Sequence, residues 1–144
     1  MGLMDSMLDS SLDEVEVAAE FVDLPNGEYR LHIKKAEAKE MPAKDDKPAA
    51  VAVSITYEVA ETIALADSNV EPVDNGSLSS ERFNLTEQGL PYFKRYLVNI
   101  FGDTSGVSLG ESIQALNGID ITAVVRNNEY NGRSYMATTR QAQA

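Results

Sequence analysis

The sequence predicts a mainly β domain of five strands, with a helix between the third and fourth and an acidic arm in front. Three observations carry that expectation. Several stretches alternate apolar and polar residues with the period of two of a half-buried strand. One stretch, Thr86 to Gly102, changes to apolar spacings of three and four, the period of an amphipathic helix. Negative charge is concentrated at one end of the chain. The 144 residues, 43% of them hydrophobic, suffice for one core and one domain.

The arm covers residues 1–24. It holds seven acids and no Lys or Arg, leaving 16 acids against 12 bases in the remaining 120 residues, so most of the formal net charge of −11 lies in the first sixth of the chain. Met4, Leu8, Leu12 and Val15 fall at helical spacing on this arm, opposite a face of Asp and Ser. They are read as a docking stripe for a partner or a second subunit. The plainer reading is a solvated terminus.

Leu24-Pro25-Asn26-Gly27 is turn chemistry and opens the body, residues 25–144. In the first strand Tyr29, Leu31 and Ile33 alternate with Glu28, Arg30, His32 and Lys34, and the phase breaks near Lys34-Lys35, where a bulge fits. A polar loop, Met41 to Pro48, precedes the second strand, in which Val51, Val53, Ile55, Tyr57 and Val59 share one face. A third strand, around Ser77 to Asn84, leads into the helix. There Leu90, Phe93, Leu97 and Ile100 form the apolar stripe, all four expected to be buried. Pro91 suits only the first turn, which moves the start toward Gly89, and Gly102 suits the C-terminal end. Ser108 to Glu111 is a capping box for a short helix that Gly118 closes. Asn131-Gly132 marks the last hairpin, setting Arg126 opposite Ala137 and Asn128 opposite Tyr135. Five strands with the substantial helix between the third and fourth is the connectivity of an OB-fold, a small, partly open, five-stranded Greek-key barrel. A β-sandwich is the alternative.

The composition narrows the chemistry. There is no cysteine and only one histidine, which removes disulfides and thiolate metal sites and argues against zinc. His32, on the polar side of a strand, reads as an ordinary surface residue. The glycines after residue 101 follow a helix and lack the Lys-Ser/Thr of a phosphate loop. Serines have no histidine at a motif position, and carboxylates sit in loops and the arm. The expectation is therefore no enzyme, no cofactor and no metal. No apolar run approaches the ~18 residues that span a bilayer, and no export leader is apparent; a cytoplasmic protein without a membrane partner is expected.

What recurs is a cation beside an aromatic or amide side chain in the segments with which an OB-fold holds ligands. Lys39, Lys44 and Lys47 follow the first strand, Arg82 and Phe83 lie on the third, and Arg126, Tyr130, Arg133 and Tyr135 belong to the last hairpin. Single-stranded nucleic acid needs this pairing, cations for phosphates and flat rings for unpaired bases. Taken singly, Lys44 and Lys47 flank Asp45 and Asp46 as solvated charge would, and Phe83 also suits a core.

The acidic leader, the Gly27-Glu28-Tyr29 start of the first strand, Asp46-Lys47-Pro48-Ala49, and Ser80-Glu81-Arg82-Phe83 running to Thr86-Glu87-Gln88-Gly89-Leu90 together resemble a group of small phage-encoded single-stranded DNA-binding proteins. The resemblance spans nearly the whole chain. It implies an OB-fold that coats exposed strands during phage DNA replication or recombination in the host cytoplasm, with replication or recombination proteins reached through the acidic arm and homo-oligomers compatible with the fold. Many such proteins carry the acidic segment at the C-terminus, whereas here it is N-terminal. The alternative function is a phage structural or protein-interaction module that docks a partner through the arm.

Overall fold

The computed structural model describes residues 21–43, 49–130 and 132–144. Five strands, β1 (Gly27–Met41), β2 (Ala50–Leu65), β3 (Leu78–Asn84), β4 (Asp120–Tyr130) and β5 (Arg133–Gln143), form one antiparallel sheet in the order β3-β2-β1-β4-β5. Two helices, α1 (Leu90–Phe101) and α2 (Leu109–Leu116), lie between β3 and β4 in the chain. The expected period-two faces hold: Tyr29, Leu31, Ile33, Val53, Ile55, Tyr57 and Val59 are all buried, and Ile121, Ala123 and Val125 bury the same kind of face on β4. Val51 is the exception on β2, being 38% exposed.

Of the three register shifts between β1 and β2, the one with its extra residue on β1 falls between Ile33 and Lys35, where the Lys34-Lys35 pair breaks the alternation. Beyond it β1 leaves β4, and the end of α2 takes over its hydrogen bonds. Gly118 N–H donates to Ile33 C=O at 2.8 Å. The Asn117 side chain both accepts from Ala36 N–H at 3.0 Å and donates to Ala36 C=O at 3.3 Å. An asparagine there imitates a strand residue, so the backbone groups that the bulge frees are satisfied.

Helix α1 starts at Leu90, with Pro91 in its first turn and Gly102 at its end with φ 79°. Thr86 prepares the entry, its hydroxyl accepting from Gly89 N–H at 3.0 Å and its carbonyl from Leu90 N–H at 2.8 Å. Phe93, Leu97 and Ile100 are buried as their spacing requires, together with Tyr96. Leu90 is a correction: it is 37% exposed, because as the first helical residue it lies at the rim of the cleft toward α2. In α2 the Ser108 hydroxyl accepts from Glu111 N–H at 3.2 Å, the capping interaction that its sequence calls for. In the last hairpin Arg126 pairs with Ala137 and Asn128 with Tyr135, as the Asn-Gly turn requires.

The expected Greek-key barrel is not formed; the five strands make one open sheet, with no ladder between β3 and β5 among the described residues. β3 has only 7 residues, against 16 in its neighbour β2, and part of its outer edge is already taken. Phe21 bridges in parallel to Leu78, and Val22 N–H donates to Leu78 C=O at 2.8 Å. Leu24, the next apolar residue along, is fully buried in the core.

Candidate nucleic-acid interface

The described cations of the body fall into two groups, with Lys94 apart from both in the cleft between α1 and α2. On the outer face of β1, Arg30 pairs with Glu61 (3.4 Å), His32 with Asp120 (2.7 Å) and Lys34 with Glu58 (3.2 Å), while Lys35 and Lys39 share Glu37 at 2.8 and 2.9 Å. Hydrogen bonds from Lys35 and then Lys39 hold the Glu37 carboxyl down to about 2. Such exposed pairs add little stability, but they leave that face close to neutral. Among the described residues, no carboxylate lies within 4.0 Å of Arg82, Arg95, Arg126 or Arg140.

Three of these arginines, Arg82, Arg95 and Arg140, follow the seam between β3 and β5, and Arg126 lies on β4 in a depression that adjoins it. A groove of about 750 Å³ is walled by Arg82 and Phe83 of β3, Arg95 and Asn99 of α1, and Thr139 and Arg140 of β5. Arg82 and Met136 also line a smaller recess reaching Tyr135, and Thr139 and Arg140 line another reaching Arg126. The three depressions thus adjoin, with Arg82 and Arg140 at the junctions. Helix α1 contributes through a second stripe: Tyr92, Arg95 and Asn99 recur at three and four and face the groove while Phe93, Leu97 and Ile100 face the core. Tyr92 is 66% exposed and Tyr135 50%, so both rings have a face free for a flat ligand.

Glu81 holds the seam. Its carboxylate, 5% exposed, accepts from Thr138 N–H at 2.8 Å, the Thr138 hydroxyl at 2.7 Å and the Tyr57 hydroxyl at 2.7 Å. Since Tyr57 spends its one proton there, the 2.7 Å contact between the Tyr57 and Tyr96 hydroxyls has Tyr96 as donor. Gln141 donates to Thr138 C=O at 2.8 Å and accepts from Asn99 at 2.8 Å, tying β5 to α1. Burial pushes the Glu81 carboxyl up, with the Thr138 and Tyr57 donors pulling it partly back. Burial likewise pushes the hydroxyls of Tyr57 and Tyr96 up. A side chain therefore takes the Thr138 N–H that a closing ladder would have paired with a backbone carbonyl.

β5 carries a second irregularity in the groove wall. Its register against β4 shifts between Thr122 and Val124, and Arg140, in the extra stretch, has φ 52°. A bulge of this kind re-aims side chains. Gln141 turns inward to bond α1, and Arg140 stays exposed at the junction of two depressions.

Of the residues read from the sequence, Arg82 and Tyr135 line this seam, and Arg126 lines the depression that adjoins it. Phe83 is half-buried, its ring 5.1 Å from that of Phe93 and 5.0 Å from that of Tyr96, so it forms floor and core together. Lys39 is absent from the groove and is bound to Glu37. Lys44 and Lys47, the arm stripe Met4, Leu8, Leu12 and Val15, and the side chains of Tyr130 and Arg133 lie outside the described residues. Sequence reasoning missed Tyr92, Arg95 and Arg140. The helical recurrence of Tyr92, Arg95 and Asn99 was available as a signal; nothing local marks Arg140. Among the described residues there is no cluster of three metal-ligating side chains, and no helix is long and apolar enough to cross a membrane. No protein-family model and no curated protein matches the chain.

Proposed function

We propose that the protein is a non-catalytic single-stranded DNA-binding protein with an OB-fold-like body, coating exposed strands in phage DNA replication or recombination. One observation carries this reading. Apart from Lys94, the other described cations of the body are paired with acids, whereas three arginines with no carboxylate partner among the described residues line one seam and a fourth, Arg126, lies in the adjoining depression, beside two aromatic rings at least half exposed. Arginines free of carboxylates are available to phosphates, and exposed rings stack on unpaired bases at roughly 1–3 kcal/mol each. Neither contact reads sequence. The strand order supports the reading too, since an OB-fold barrel needs only a β3–β5 ladder added to this sheet.

The test is fluorescence anisotropy with labelled single- and double-stranded oligonucleotides at low and moderate salt. Single-strand-selective binding whose log affinity falls linearly with log salt is the expected result. No binding at either salt overturns the proposal and leaves the protein-interaction module as the alternative.

A further inference from the structure

Where the N-terminal segment meets the sheet there is a recess of about 220 Å³, lined by Phe21, Asp23, Ser79, Ser80, Arg82 and Tyr135, among others. Its walls come from three separate stretches of chain. The Phe21 bridge to Leu78 and the Val22–Leu78 hydrogen bond fix the first stretch against the second. We infer that this recess is a subsite for one unpaired nucleobase, held at the end of the arginine seam. The inference rests on the single-strand reading above and adds to it a place where the base edge is contacted.

Phe21 is 57% exposed and Tyr135 50%, two aromatic rings left in water at one small cavity, where burial against a flat partner is favourable. The Arg82 Nε–H is committed to Asn84 at 3.2 Å, which orients the guanidinium and leaves its terminal N–H groups for a phosphate. Ser79 is 3% exposed, and among the described residues its hydroxyl donates only to the Met136 sulfur, at 3.1 Å. A thioether is a weak acceptor, so a buried donor is held there without a strong partner. Asp23 adds an acceptor with no cation within 4.0 Å among the described residues. Aromatic faces, a mixed donor and acceptor edge and one cation at the rim are the complement of a nucleotide.

Asp23 as a carboxylate can only accept, so the base must present an N–H. Thymine offers N3–H, and N3-methylthymine does not. Thymine oligonucleotides with 5-iodouracil substitutions should photo-crosslink to the peptides containing Phe21 or Tyr135. Phe21→Ala and Tyr135→Ala should each weaken binding about fivefold or more with the salt slope unchanged. The wild type should prefer thymine to N3-methylthymine about fivefold. Asp23→Ala should abolish that preference even though losing a negative charge raises affinity for both. Crosslinks confined to Tyr92, with Phe21→Ala and Tyr135→Ala binding like the parent, would overturn the subsite and leave the single-strand reading standing. Equal affinity of the wild type for the two oligonucleotides overturns the edge contact. Absence of single-strand binding overturns both readings. Circular dichroism of each variant guards against loss of fold.

Discussion

Replacing Glu81 tests whether one side chain does the work of a missing ladder. In Glu81→Ala the Thr138 N–H and the Tyr57 hydroxyl lose their acceptor in a site 7% exposed or less. Each stranded donor costs about 1–3 kcal/mol, and relief from burying a carboxylate offsets part of that. A net loss of about 3 kcal/mol is expected, or roughly 10 °C in Tm for a domain of this size. Glu81→Gln keeps a carbonyl for Thr138 N–H and turns its amide toward the two hydroxyl oxygens, which can reverse, so most of the stability survives. The two proteins should separate by pH. Folding raises the Glu81 pKa, so this group's contribution is complete below the ordinary glutamate value and is lost as pH rises through the folded one. Glu81→Gln lacks that loss, and its stability relative to wild type should improve from acid to neutral pH. Groups shifted downward, Glu37 and Asp103, act in the opposite direction but are common to both proteins and cancel. Urea unfolding followed by far-UV circular dichroism at pH 4 and pH 7 measures this. A Glu81→Ala loss under about 0.5 kcal/mol, or a Gln advantage that shrinks as pH rises, would refute the reasoning.

Removing charge from the seam should be readable in salt. Arg95→Ala or Arg140→Ala should weaken single-strand binding across all sequences and flatten the salt slope by about one unit, while Lys39→Ala, whose cation already faces Glu37, leaves the slope unchanged in the same titration. Arg140→Gly separates backbone from charge: at φ 52° a glycine relieves a cost of about 1 kcal/mol, so the melting temperature should hold or rise while affinity falls. Deleting residues 1–20 should leave the melting temperature nearly unchanged and tighten single-strand binding at low salt, because the arm's acids repel phosphate. Deleting residues 1–24 also removes the fully buried Leu24 and should cost about 3 kcal/mol, visible in thermal melts of the two truncations.

Local pattern made much of the fold legible. The Lys34 bulge, the Asn-Gly register and the Phe93-Leu97-Ile100 stripe each follow from residues within a few positions of one another, and each is found where the pattern puts it. Barrel closure was not legible, because it depends on whether β3 and β5 share a backbone ladder, and the Thr138 N–H such a ladder would use is taken by the side chain at position 81. The site divides the same way. Arg82 and Tyr135 could be read from their strands. Arg95 and Arg140 reach the seam only through the packing of α1 against the sheet and through a bulge without a glycine to announce it. The pairing of Lys39 could have been foreseen: Lys35, Glu37 and Lys39 sit at period two on one strand, a spacing that places an acid between two bases on the same face.

An open sheet has two free edges, and free edges recruit other strands. Here the β3 edge carries a charged side chain turned inward at Glu81 and a short parallel cover from Phe21 and Val22, both devices that discourage a neighbouring copy from docking edge to edge and growing a fibril. The barrel gap and colloidal behaviour are thereby linked. A Glu81 variant that is more stable as a monomer also presents a better template for strand addition, so gains in melting temperature at this position should come with faster aggregation in concentrated solution.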